Sequence, residues 1–101
     1  MENTKTHTRN MLERIIIIHN TIKSGTYPNK DDLATIYQKT IGCKNKPGIA
    51  TISRDIETLR TRFGAPLEFD RNRKGYYYED NNWEFALNNI STEEIFYLST
   101  V

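Results

Sequence analysis

Three cations, Arg71, Arg73 and Lys74, stand within four residues around Asn72, just ahead of Gly75. Like charges this close repel one another unless water or an anion screens them, and a phosphate backbone is the obvious counter-charge. A fourth cation, Arg54, lies in the segment PGIATISRDIETLRTRF among Ala50, Thr51, Thr58 and Thr61. Small neighbours let a helix approach another surface closely, so that a long guanidinium reaches a phosphate or a guanine edge. Lys44 and Lys46 sit just before this segment, and Asn29 and Lys30 stand where an earlier helix should begin. Chemistry of other kinds is poorly served. Asp31 and Asp32 read as helix-start acids, and no Ser/His/Asp or Cys/His set, phosphate-cradling loop or paired catalytic carboxylates emerges. Cys43 is the only cysteine, which excludes an internal disulfide, and with His7 and His19 it gives no zinc-ligand spacing. The expectation is a protein that is not an enzyme and takes no metal or other cofactor.

The charge distribution agrees with the cations. The formal net charge is only +1 over 101 residues, but it divides into +2 for residues 1–43, +4 for 44–78 and −5 for 79–101, where no Lys or Arg occurs. A basic middle followed by an acidic tail suits a polyanion-binding body whose tail faces something else. The length allows one small domain with a modest core, burying roughly 60 to 65% of its unfolded surface. The longest apolar run, Ile15 to Ile18, is far below the roughly 18 residues that span a bilayer. The polar start MENTKTHTRN lacks a signal-peptide core, so a cytoplasmic location and no membrane contact are expected.

The elements that must position these residues follow from periodicity. From Thr8 to Lys23, Met11, Leu12, Ile15, Ile16, Ile18 and Ile22 recur at helical steps and stop at Ser24-Gly25. Ile17 falls opposite that face and is expected to be exposed, and His19 to be packed or at the rim rather than a ligand. TYPNKDD reads as a turn and a capped start for a second helix, with Leu33, Ala34, Ile36 and Tyr37 on its apolar side and its end near Lys39 to Gly42. After a tight connector at 43–46, Pro47 opens a third helix, whose Ile49, Ile52, Ile56, Leu59 and Phe63 are spaced by 3, 4, 3 and 4. The period then changes to two: Leu67 and Phe69 alternate with Glu68 and Asp70, DRNRKG turns, and Tyr76 to Tyr78 return. Gly75 is assigned the positive φ of that turn. A short helix at ISTEEIFYL, whose Ile95, Phe96 and Leu98 are too few to stand alone, is predicted near the end.

This order is mainly α with a small β-hairpin: a winged helix-turn-helix of three helices plus a two-stranded wing over residues 1–80. An acidic aromatic extension follows at 81–101, with a short C-terminal helix, serving as linker or dimerisation segment. The residues also carry a family resemblance. TISRDIETLR resembles the recognition-helix signature T-[IV]-x-R-D-[IL]-x-x-L of DeoR-like winged helices, and GAPLEFDRNRKGYYYED resembles the wing of bacterial WYL-domain transcriptional regulators. The likeness spans residues 8 to about 98. It implies a DNA-binding regulator with Thr51 and Arg54 on DNA-facing positions and Ile52, Ile56 and Leu59 in the core. It also implies that Asp55 is an intraprotein partner for a cation. Gly48, Ile49 and Ala50 depart from the usual Ser and Arg ahead of the Thr, removing one contact that Lys44 and Lys46 replace. The family continues into a ligand-sensing WYL domain, and ISTEEIFYL looks like the start of that continuation.

The function expected is therefore sequence-specific binding of double-stranded DNA by a transcriptional repressor. The helix at 47–63 would enter the major groove with Ala50, Thr51 and Arg54 near base edges. The wing at 66–79 would bring Arg71, Asn72, Arg73 and Lys74 to the minor groove or phosphates. Lys44, Lys46, Asn29 and Lys30 would fix register on the backbone. About five neutralised phosphates would give a slope of log K on log salt of about −4 to −5, and a homodimer on a palindromic operator is the expected working form. The alternative is a winged-helix protein-interaction adaptor using Trp83, Phe85, Phe96 and Tyr97. RNA binding through Tyr76 to Tyr78 is a further possibility.

Overall fold

The computed structural model describes residues 4–84, with side chains from Asn10 onward. The chain forms α1 (Thr4–Lys23), α2 (Lys30–Ile41), α3 (Ile49–Thr61), β1 (Leu67–Asp70) and β2 (Gly75–Tyr78). The predicted helix at 91–98 and nearly all of the 81–101 extension, with Phe85, Phe96 and Tyr97, lie outside the described residues. Three helices and an antiparallel hairpin in this order make a mainly helical winged helix-turn-helix.

Each element ends where its sequence directs. α1 stops before Gly25, which takes φ 81°. α2 opens on a reciprocal capping box: the Asp32 N–H donates to Asn29 Oδ1 at 2.8 Å, and the Asn29 N–H donates to Asp32 Oδ2 at 3.0 Å. Its end is closed by Gly42, also at φ 81°, whose N–H donates to the Gln38 carbonyl. α3 starts later than predicted, because Gly48 is its N-cap and Pro47 lies outside the first turn. Its cap carries no side-chain hydrogen bond and its first turn no acid.

The core gathers Leu12, Ile15, Ile18 and Ile22 from α1, Leu33 and Ala34 from α2, and Ile52, Ile56 and Leu59 from α3. Phe63, Ala65, Leu67, Tyr76 and Tyr78 complete it. Burying a side chain of this size stabilises by about 1.5–3 kcal/mol, which is what lets so short a chain hold three helices together. Two expectations on α1 are reversed: Ile16 is the exposed isoleucine, at 42%, and Ile17 is half-buried. Five consecutive apolar or near-apolar positions blur the helical stripe, and the choice between neighbours is made by packing against α2, α3 and β2. His19 is buried as expected. Its Nδ1 shares a 2.8 Å hydrogen bond with the Tyr78 hydroxyl, and its ring meets the edge of Trp83. Trp83 thus packs against the core, and Lys23 Nζ donates to its carbonyl and to Glu84.

The hairpin register pairs Leu67 with Tyr78, Glu68 with Tyr77, Phe69 with Tyr76 and Asp70 with Gly75. Asp70 organises the turn, its Oδ1 accepting from the N–H groups of Asn72 and Arg73, while the Lys74 N–H donates to the Asp70 carbonyl. The left-handed residue is Lys74, at φ 58°, and not Gly75. Gly75 is required for another reason: a Cβ there would overlap the carbonyl of Tyr27. The turn between α1 and α2 is pressed against the start of β2, and the Tyr76 N–H donates to the Pro28 carbonyl at 2.8 Å.

Candidate nucleic-acid interface

α3 is held by its inner side. Ile52, Ile56 and Leu59 are buried, and so is Asp55, whose two carboxylate oxygens accept from Arg14 Nε at 2.6 Å and Nη2 at 3.2 Å. A two-pronged guanidinium–carboxylate contact fixes orientation as well as distance. The buried centre of the helix therefore takes in Asp55, whereas Ile49, which the spacing predicts in the core, is 48% exposed because it is the first residue of α3: Ile56, seven residues on and in nearly the same direction, is 2% exposed. At about 100° per residue the opposite direction holds Ala50, Arg54, Glu57 and Thr61, all exposed.

Ala50 and Arg54 are thus outward, as predicted, and the Arg54 guanidinium has no partner among the described residues. Thr51 is drawn to the flank, half-buried, where a groove of about 300 Å³ runs between α1 and α3 beside Met11, Arg14, Arg54, Asp55 and Thr58. The hydroxyls of Thr58 and Thr61 donate back to the carbonyls of Arg54 and Glu57, so these side chains present methyl groups and lone pairs outward.

The remaining predicted cations divide into two groups. Lys44, Arg71 and Lys74 are exposed, and Lys30 is half-buried, none with a carboxylate partner among the described residues. Lys46 is engaged: its Nζ lies 2.8 Å from Asp31 Oδ1 and 3.3 Å from the Thr35 hydroxyl, tying the α2–α3 connector to the start of α2. Arg73 is engaged as well. Its guanidinium carbon stands 4.5 Å from the centre of the Tyr27 ring, Nη1 donates to the Tyr27 hydroxyl at 2.9 Å, and Asp70 Oδ2 is 3.6 Å away. Asn72 is exposed at the tip. Asn29 spends its side-chain oxygen and its N–H on the capping box, which leaves only its side-chain amide for a partner.

Three positioning residues escape the sequence reading. Tyr27 receives Arg73, stacks obliquely near Tyr77 and supplies the carbonyl that Gly75 accommodates. Arg60 Nε donates to the Leu67 carbonyl at 3.1 Å and so joins α3 to β1. Glu57 occupies the outward face of α3, with Arg60 Nη1 3.7 Å from its carboxylate. The legible signal for Glu57 was Asp55. An aspartate that faces an internal cation must rotate the buried side toward itself, which carries Glu57 outward.

No helix among the described residues is long and apolar enough to cross a membrane. No family model, no curated protein and no solved structure matches the chain.

Proposed function

We propose that this protein is a sequence-specific double-stranded DNA-binding transcriptional regulator, a repressor of the WYL-regulator type, located in the cytoplasm. The observation that carries the reading is the outward face of α3, where Arg54 stands beside Ala50, Thr51 and Thr58 with no partner among the described residues, on a helix whose N-terminus has no side-chain cap and no acid in its first turn. In this reading α3 lies in the major groove with Arg54 on a guanine edge, and Ala50 leaves room for close approach. Arg71 and Lys74 at the wing tip, with Lys44 and Lys30, meet phosphates. Arg73 and Lys46 act one step back, Arg73 fixing the wing on Tyr27 and Lys46 fixing the connector on Asp31. One module of this size covers only about 600–1,000 Å², so a homodimer on a palindromic operator is the working form. A following ligand-sensing domain in a longer native chain would supply regulation.

Selection from a random duplex pool at two salt concentrations, followed by sequencing, tests the reading. Recovery of a motif with salt-sensitive binding supports it, and absence of any duplex binding overturns it. The second reading, a protein-interaction adaptor, draws on Ile16, Ile41, Ile49 and Phe69, each more than 40% exposed. Binding through such a surface would be nearly indifferent to salt.

A further inference from the structure

A carboxylate on a surface that meets a polyanion weakens every non-specific contact, so its place at the outward side of α3 needs a compensating role. Glu57 is in that position: its side chain is 63% exposed, three residues after Arg54 on the same side of the helix. Its surroundings hold it there. Arg60 is anchored at Nε to the Leu67 carbonyl at 3.1 Å, and its Nη1 lies 3.7 Å from Glu57 Oε1, so the wing strand indirectly steers the carboxylate.

A carboxylate only accepts hydrogen bonds. On the major-groove edge, donors are the N4 amino group of cytosine and the N6 amino group of adenine. Adenine places its N7 acceptor beside that amino group, where a second acceptor is repelled, whereas cytosine offers its amino group with no acceptor next to it on that edge. Guanine and thymine present acceptors and reject a carboxylate outright. Arg54 has the opposite preference, for the two acceptors of guanine. Residues three apart on a helix are displaced by about 4.5 Å along its axis, against about 3.4 Å for a base-pair step.

We infer that Glu57 is a specificity-determining residue that reads a cytosine within one or two base pairs of the guanine read by Arg54. This rests on the DNA-binding reading and adds to it the base class at one operator position. It also assigns Glu57 an unfavourable effect on non-specific DNA.

The test is duplex selection and sequencing with the full chain as wild type, Glu57→Ala and Glu57→Gln, together with anisotropy on one unrelated duplex. Thermal melts unchanged from wild type establish that both variants fold. Wild type is expected to require cytosine at one position, by about 5- to 150-fold, the usual range for a mismatched pair. Glu57→Ala is expected to lose that preference alone and to bind the unrelated duplex severalfold more tightly. Glu57→Gln is expected to shift the position toward adenine, whose N6 and N7 an amide matches. An identical motif in all three proteins overturns the inference while leaving DNA binding intact. Failure of wild type to bind any duplex overturns the DNA-binding reading and the inference together.

Discussion

Arg14 of α1 grips Asp55 of α3 with two hydrogen bonds, across 41 residues of sequence, in a site where the aspartate side chain is 3% exposed. The pair ties α3 to α1 through the buried side of the helix, which also carries Ile52, Ile56 and Leu59. Breaking a buried ion pair by removing one partner costs about 3–5 kcal/mol. Arg14→Met should lower stability by that amount in urea denaturation, whereas the double variant Arg14→Met/Asp55→Leu should recover most of it. A double variant as unstable as the single one would show that the pair contributes more than mutual compensation.

The wing is seated through main-chain contact. Gly75→Ala introduces a methyl group where the Tyr27 carbonyl already lies, and either the wing or the α1–α2 turn must move. A loss of about 1–3 kcal/mol is expected, as for other overpacked sites. Lys74→Gly should go the other way, gaining about 1 kcal/mol by relieving the left-handed conformation at φ 58° while removing one wing cation. Thermal melts of both variants check the two signs.

Arg71 and Arg73 are separated by one residue but differ in role. Arg71→Ala should flatten the dependence of DNA affinity on salt by about one unit of slope and leave stability unchanged, because the side chain is exposed at the tip. Arg73→Ala should lower stability by about 0.5–1 kcal/mol through loss of the Tyr27 contact. Its salt slope should change less than that of Arg71→Ala. Equal effects on slope would place both guanidinium groups on phosphate.

Burial holds the pKa of His19 below its ordinary 6.5, with Glu84 opposing and Lys23 reinforcing the shift. A base that is harder to protonate when folded contributes stability at pH above 6.5. That stability is lost as the pH falls below 6.5 toward the folded-state value, because the unfolded chain binds the proton first. Urea midpoints should therefore fall between pH 7.5 and 5.5. Replacement by a non-titrating residue, as in His19→Gln, should remove that part of the pH dependence. An unchanged profile in the variant would assign it to other groups.

Much of the fold is legible because local signals agree with it. Asn29 and Asp32 at capping-box spacing, glycines at 25 and 42, and alternation through Leu67 and Tyr76 each specify a boundary or a face with near neighbours alone. The errors arise where a distant contact decides. Ile49 continues the core spacing, yet it stands at the open end of α3 with nothing packed over it, and Ile16 and Ile17 exchange places for want of any local difference between them. The wing tip was legible as a cluster of charge, but not as two kinds of cation. Nothing near Arg73 in sequence announces Tyr27, 46 residues earlier. A glycine at 75 suggests a positive φ from sequence, whereas the structure needs it for close approach to Tyr27, because both conditions select the same residue.

The most direct measurement is the affinity of the wild-type protein for its selected duplex across a salt series, repeated with Arg54→Ala. Four phosphate contacts, from Lys30, Lys44, Arg71 and Lys74, give a slope of log K on log salt of about −3.6 per subunit. With Arg54 on a base, its removal should cost about 1–3 kcal/mol on the selected duplex, leave affinity for unrelated duplexes nearly unchanged and preserve the slope. A flat salt dependence in the wild type, or full affinity for the selected duplex in Arg54→Ala, would contradict the assignment of the α3 face to DNA.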